Sequence, residues 1–436
     1  MPQKFIDQTT IQPDGRTGDD AFTAFATCND NFEDAEARLV ALEAGGGETG
    51  DLLDNEIAAR AAADALLGQR IEDETSERIA AVQAEASARV NAVADLGMRI
   101  PGKNRLINGD FRFWQRGTSF GPALYTADRW YFNAGGVVSP NLSRNPIALG
   151  ATGLKSAAFA KVSYGAITDA ANHFVVYEQR VEGVHNFAGE TVTVSFKVFN
   201  AGAAGRQIAV EMQQAFGTGG SETVTGIGVA KYTLAAGLNT ITHTAAVPSV
   251  AGKTAGSNNS LVLTLWATGG SAFNARNGAL GAQAGDVHFT EVQIETGSIA
   301  TGFEWRNDAT ELALCQRYYE KSFDIDVAPA NNSTASPSIP ILSGVAFAGG
   351  LVHVHVDFKV SKRVKPAIAI FSSNANNSSS GMPSGYINGA WTLSTEKNID
   401  AAASGQNVFQ VFYAVPGAAA PGSYLSSFQW TADAEI

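Results

Sequence analysis

The sequence is poor in cysteine, in charge and in long apolar runs, and each shortage excludes something. Two cysteines in 436 residues, Cys28 and Cys315, lie far apart. No disulfide framework can rest on them, and neither has a nearby histidine to make it a nucleophile. Charged residues are 17 % of the chain, below the roughly one-quarter usual in globular domains. The basic sign is the scarcer, with 30 Lys and Arg against 42 acids, for a net charge of −12. With no basic cluster, phosphate-directed binding of nucleic acid is not expected. No run approaches a membrane span, so no membrane insertion is expected. The opening Met1-Pro-Gln-Lys-Phe-Ile-Asp7 carries no export signal, and a chain made and folded in a cytoplasm is expected.

Enzyme signatures are also missing. There is no Gly-x-Ser-x-Gly elbow, no P-loop, no His-Glu-x-x-His and no β-helix period. Glu291 and Glu295 are expected on neighbouring positions of one strand face, flanking a closing strand and not a cleft. The chain is read as non-enzymatic.

What the sequence does have is a long helix. Asp51 to Ile100 is rich in Ala, Glu and Arg, with no proline and only Gly68 and Gly97. Its apolar positions Ile57, Leu67, Ile71, Ile79, Val82, Val93 and Leu96 form a narrow stripe, too thin for a core and sufficient for a seam. From Ile79 the spacing alternates three and four, the a/d rhythm of a left-handed coiled coil. Leu67, Ile71, Thr75 and Ile79 step by four, a stutter that unwinds the supercoil locally. Glu56, Glu74 and Glu85 each precede an arginine by four residues, the favourable orientation for a helical ion pair. Such a helix draws its stability from packing, so copies of the chain are expected to pair along it. The stripe leaves two and three strands open. An amphipathic helix lying on a globular domain is the plainer alternative.

Composition divides the remainder. Residues 1–28 are short and irregular, with Asp19 or Asp20 capping a short helix that carries Phe22 and Phe25. A segment this small buries no core, so Phe5, Ile6, Ile11, Phe22 and Phe25 are expected to dock on another protein. Residues 29–50 are a first helix, with Phe32, Leu39 and Leu42, ending in a Gly45-Gly46-Gly47 hinge. Residues 51–100 are the stalk. From 104 to 306 the pattern has period two, as in Thr191-Val-Thr-Val-Ser-Phe-Lys-Val-Phe199 and Leu261-Val-Leu-Thr-Leu-Trp266. Long Gly, Ser and Thr connections between such strands predict an antiparallel sandwich of jelly-roll type. Residues 307–321 read as a helical linker capped by Thr310, with Leu312, Cys315 and Tyr319 on one face. Residues 322–436 read as a second β-domain, the tip. The expected class is therefore mainly β, with an N-terminal α-helical coiled-coil stalk, a jelly-roll sandwich and a C-terminal β-sandwich tip.

Two constellations carry candidate chemistry. Aromatic faces stack on sugar rings, and amides and acids hold hydroxyls. Trp114, Trp130 and Tyr131 are the candidates in the sandwich, where plugging the core is the competing role for both tryptophans. Tyr386, Trp391 and Tyr424 sit in or beside Gly/Ser/Asn/Pro loops of the tip, with Trp430 further along. His353 and His355 share a strand face beside Asp357, while Val352, Val354, Val356 and Phe358 face the core. Around a threefold axis such a strand could gather six imidazoles for an octahedral metal such as iron or nickel. A polar outer sheet face is the plainer account.

Several phrases resemble tailed-bacteriophage tail fibres. Ile6-Asp7, Thr10-Ile-Gln-Pro-Asp-Gly-Arg16, Gly18-Asp-Asp-Ala21 and Cys28-Asn-Asp-Asn-Phe32 resemble their virion-attachment head. Leu106-Ile-Asn-Gly-Asp-Phe111, Trp114-Gln-Arg-Gly117 and Ala127-Asp-Arg-Trp-Tyr131 resemble the opening of a carbohydrate-binding-module-like jelly roll, and Gln293-Ile-Glu-Thr-Gly297 with Phe303-Glu-Trp305 its close. Glu311-Leu-Ala-Leu-Cys-Gln-Arg-Tyr-Tyr-Glu-Lys321, Phe358-Lys-Val360 with Lys362-Arg363 and Pro366, and Trp430-Thr-Ala-Asp-Ala-Glu435 resemble recurrent fibre phrases. The resemblance implies a homotrimer in the virion tail. Its N terminus would attach to a tail or baseplate protein, and its C-terminal domains would bind a host-surface glycan or outer-membrane receptor. A glycan-depolymerising tailspike and a purely structural virion fibre are the alternatives.

Overall fold

The computed structural model describes residues 21–44, 49–98, 101–148, 150, 154–331, 341–346, 351–373, 381–387, 390–394, 396–400, 402–414 and 422–436. The chain divides into two compact units, Met1–Ala92 and Val93–Ile436.

The first unit is helical. Helix α1 covers Ala21–Ala44 and helix α2 covers Thr49–Met98. The separate short helix expected near Phe22 does not exist, because α1 runs unbroken from Ala21 through Asn29. The Gly45–Gly47 hinge and Phe5, Ile6 and Ile11 lie outside the described residues. At 50 residues, α2 spans about 75 Å at ~1.5 Å per residue. All three expected intrahelical pairs are present: Glu56–Arg60 at 3.8 Å, Glu74–Arg78 at 3.9 Å and Glu85–Arg89 at 2.6 Å. Glu56 is buried, because Arg38 of α1 also reaches it at 3.2 Å.

The β part of the second unit starts with a sandwich of two six-stranded antiparallel sheets. One orders Ser119–Phe120, Asn141–Pro146, Ala158–Ser163, Val287–Thr296, Thr191–Asn200 and Gly237–Ala246. The other orders Leu124–Tyr125, Trp130–Gly135, Phe174–Glu182, Ser260–Gly269, Gln207–Ala215 and Val224–Thr233. Period-two alternation sends Val192, Val194, Phe196 and Val198 inward from one sheet and Leu261, Leu263 and Leu265 from the other. Trp130 fills the middle, edge-on to Phe111 at 5.1 Å and stacked on Tyr177 at 5.0 Å.

The Leu106–Phe111 phrase has a steric reason. Asn108 and Phe111 adopt left-handed φ of 56° and 54°. Between them, a Cβ on Gly109 would lie 2.1 Å from the Val292 carbonyl oxygen. Only glycine permits that approach, which lets Val292 N donate to Gly109 O at 2.9 Å. The register of the closing strand shifts between Thr290 and Gln293, a bulge that centres on Glu291 at φ 52°. This bulge breaks the expected Glu291/Glu295 face. Glu295 is buried and accepts from Thr301 N at 2.9 Å and Gln293 Nε2 at 2.8 Å.

The linker helix runs Asp308–Gln316. Its cap is Asn307, whose Oδ1 accepts from Thr310 N at 2.8 Å, and Thr310 is the donor in that bond. Tyr319 leaves the helix face and opens strand Tyr319–Lys321, which pairs with Gln429–Asp433. The tip's first strand is thus drawn from the expected linker. With Ala367–Phe371 these strands make a three-stranded sheet. Above it lies a seven-stranded sheet in the order Ala390–Leu393, Ser384–Ile387, Gly422–Ser427, Ile341–Ala346, Leu351–Asp357, Val408–Ala414 and Glu396–Asp400. Val352, Val354, Val356, Phe409, Val411 and Tyr413 pack down onto Ile370, Phe428, Trp430 and Ala432.

Candidate functional site

On the side of the seven-stranded sheet away from that core Tyr386, Trp391 and Leu425 are exposed, and the register can be followed strand by strand. Trp391 pairs with Tyr386, Tyr386 with Leu425, and Leu425 with Ser343. Two residues along from Ser343, Val345 pairs with His353, and His353 with Phe412. Residues directly opposite, and residues two apart, share a face. One face therefore carries Trp391, Tyr386, Leu425, His353 and Phe412, with His355 and Gln410 as the next pair. The opposite parity agrees, since Ser426 is buried and receives the Tyr413 hydroxyl.

Three of these side chains stand out because they are large, apolar and exposed: Tyr386 at 41 %, Trp391 at 38 % and Leu425 at 46 %. The Tyr386 and Trp391 rings meet edge to face at 5.3 Å and 62°. His353 stacks on Phe412 with centroids 5.4 Å apart and an interplanar angle of 19°.

The sequence candidates separate on this geometry. Tyr386 and Trp391 come together. Tyr424 lies in the adjoining strand Gly422–Ser427, and its side chain is outside the described residues, as are loop positions 374–380 and 415–421. Trp130, Trp114 and Trp430 are buried, so none offers a ring face to a sugar. Trp114 Nε1 is occupied, donating to Phe111 O at 2.6 Å. Tyr131 is half-buried and edge-on to Tyr125 at 5.2 Å. His353 and His355 do face away from the core, and among the described residues no group of three or more His, Cys, Asp or Glu side chains is placed to hold a metal. On α2, Ile57, Ile71, Ile79, Val82 and Val93 are exposed, Val82 by 66 %, while Leu67 is half-buried. The side chains of Leu96 and Phe22 are outside the described residues, and Phe25 is exposed.

Phe412 and Leu425 were not read from the sequence. The signal that could have joined Tyr386 to Trp391 is Asn388-Gly389 between them, the strongest dipeptide signature of a two-residue hairpin.

Residues from several of the sequence phrases quoted above meet at one joint between the sandwich and the second β-domain. Gln115 Nε2 donates to Asp128 Oδ2 at 2.6 Å and to Tyr319 O at 3.2 Å. Lys321 Nζ donates to Gln115 O at 2.7 Å. The Arg116 guanidinium lies 3.7 Å over the Tyr319 ring and that of Arg129 lies 3.4 Å over Tyr318. Lys362 Nζ meets Glu320 at 2.6 Å, both fully buried, and Arg363 donates to Ala434 O at 3.0 Å. Burial pushes the Asp128 carboxyl up, against the pull of Arg116, and pushes the Cys315 thiol well up. An unreactive thiol is the consequence. The cations of this joint are held by acids, aromatic rings and backbone carbonyls of the chain itself.

No protein-family model matches the chain, and no curated protein matches it. Several solved structures are similar to part of the chain. A family 11 carbohydrate-binding module from Clostridium thermocellum, solved with a β-1,3-1,4-mixed-linked tetrasaccharide, is 12 % identical over 42 % of this chain and 97 % of its own, at a TM-score of 0.25. The xylan-binding domain CBM22-1 from Paenibacillus barcinonensis Xyn10C is 12 % identical over 42 % of this chain and 99 % of its own, at 0.24. An α-L-arabinofuranosidase is matched over 26 % of its length and a Fischerella cyclase over 91 %, at 0.25 and 0.26. The neighbours thus include glycan-binding modules, a glycosidase and a cyclase.

Proposed function

We propose that this chain is a tailed-phage tail fibre that binds a host-surface glycan through the open face of its tip and attaches to the virion by its N-terminal segment. The observation that carries the reading is the exposed Tyr386–Trp391 pair beside Leu425 on one sheet face. Exposed aromatic rings with an apolar neighbour suit the faces of pyranose rings. The stripe of exposed Ile and Val along α2 supports pairing between copies of the chain, and the resemblance to tail fibres supplies three as their number. Three tips on one stalk would turn modest single-site affinity into firm attachment. The sequence phrases of the head and joint support the virion location. No metal or cofactor enters this reading, and binding without turnover is its chemistry.

The test is adsorption competition. Purified full-length chain, added to host cells before phage, should reduce adsorption, and Trp391→Ala should remove the effect. Failure of the wild-type chain to compete would favour a purely structural fibre. Release of reducing sugar from host polysaccharide would favour a depolymerase.

A further inference from the structure

The open face is longer than its aromatic pair. Trp391 lies on the edge strand Ala390–Leu393 and Phe412 on Val408–Ala414, five strand steps away in the same sheet. At ~4.8 Å per step the two aromatic groups are about 24 Å apart across the strands. Leu425 and then His353 stand between them on the same face. The far end also carries paired rings, in a different arrangement: His353 is stacked flat on Phe412, with the polar pair His355 and Gln410 beside it. Gln410 Nε2 lies 3.4 Å from His353 Nδ1, which ties the amide to the stack.

Charge on this face is one-sided. By register its strand positions include Asp357, Asp400, Asn398, Gln410, His353 and His355, and among the described strand residues of this face none is Lys or Arg. Lys397, on the same edge strand as Asn398, pairs with Tyr413 and so belongs to the opposite face, where its amine reaches the Gly381 carbonyl. A polyanion laid over these strand positions would meet acids and, among the described residues there, no Lys or Arg, on a chain whose net charge is already −12.

Resting on the glycan reading above, we infer that the tip binds a neutral oligosaccharide of several sugars, laid across the strands from Trp391 to Phe412, with the His353–Phe412 stack as a second sugar platform. Acidic polysaccharides are excluded by charge. A single sugar fills only one end.

The experiment is calorimetric titration of the full-length chain with neutral hexose oligosaccharides from disaccharide to hexasaccharide, and with oligouronates of matched length. Affinity should rise with length, by about tenfold from the shortest to the longest, and the uronates should bind at least about tenfold more weakly than their neutral counterparts. Phe412→Ala should erase the gain with length, while Trp391→Ala should weaken the binding of short and long sugars alike. His355→Ala, at an exposed position, serves as a second probe of the far end should Phe412→Ala misfold. Affinity independent of length, or insensitive to Phe412 and His355 but sensitive to Trp391, overturns the long track and leaves the glycan reading standing. Preference for uronates overturns the charge argument. No binding to any sugar, with lower affinity for a second copy of the chain when Trp391 is replaced, overturns the glycan reading itself and makes this face a contact between copies.

Discussion

Arg129 and Glu435, 306 residues apart in sequence, form a buried ion pair across the joint between the sandwich and the tip. Arg129 also donates to Arg180 O at 2.6 Å, and Glu435 is reached by Arg116 at 3.3 Å. The last residues of the chain are thereby fastened to the first strands of the sandwich. Tyr125 adds a hydroxyl bond to Ile436 O at 2.7 Å.

Removing one partner of such a pair leaves a buried charge uncompensated. Glu435→Ala should cost about 3 kcal/mol of folding stability. Denaturant unfolding of the purified chain measures it. A change under about 0.5 kcal/mol would mean the joint is solvated.

Gly109→Ala should destabilise the sandwich by about 3 kcal/mol, because the added methyl overlaps a backbone carbonyl that has no room to move. The melting temperature reads the loss. Gly189→Ala is the control, since a Cβ there meets nothing within 4 Å and only the positive φ of 79° opposes it.

His288 sets a pH dependence. Its ring lies 5.8 Å from Phe159 and 5.6 Å from Phe199. Burial, with the charge of Lys161 adding to it, pulls the imidazole down to about 4, from an ordinary ~6.5. As pH falls from about 6.5 towards about 4, the unfolded chain takes up a proton that the folded chain refuses. Stability from this group is therefore full above that window and declines through it. Melting temperatures of wild type and His288→Asn, compared across the window, should diverge less at acid pH than at neutral pH.

Ile79→Asp with Val82→Asp should dissociate the assembly that the α2 stripe implies. Both side chains are exposed in the single chain, so the monomer fold loses little. Light scattering should give a trimer mass for wild type and a monomer mass for the variant. A wild-type monomer would remove the stalk from the account.

Much of this architecture is legible in the sequence, because strand alternation is a local property. Leu351-Val-His-Val-His-Val-Asp357 announces which side is core, and the structure buries Val352, Val354 and Val356 accordingly. The same holds for Glu56, Glu74 and Glu85, whose arginine partners lie one turn away. Local ambiguity defeated the linker cap: Asn307, Asp308 and Thr310 can all cap, and the choice of Asn307 depends on where the preceding backbone arrives. What was illegible is long-range. Nothing within a single strand says that Tyr386 stands beside Leu425, or that His353 stacks on Phe412. Those neighbours are set by strand order, and that order brought the two separate candidate groups onto one face. Trp114 and Trp130 show the converse, since an aromatic beside alternating apolar residues reads equally as ligand platform and as plug, and burial decides for the plug.

The central claim is that the open tip face binds sugar through Tyr386 and Trp391. A glycan array probed with the full-length chain and with Trp391→Ala tests it most directly. The account predicts binding to neutral oligosaccharides by the wild type and at least about a tenfold loss in the variant. Wild-type binding that survives Trp391→Ala undiminished, or no binding to any glycan, would contradict it.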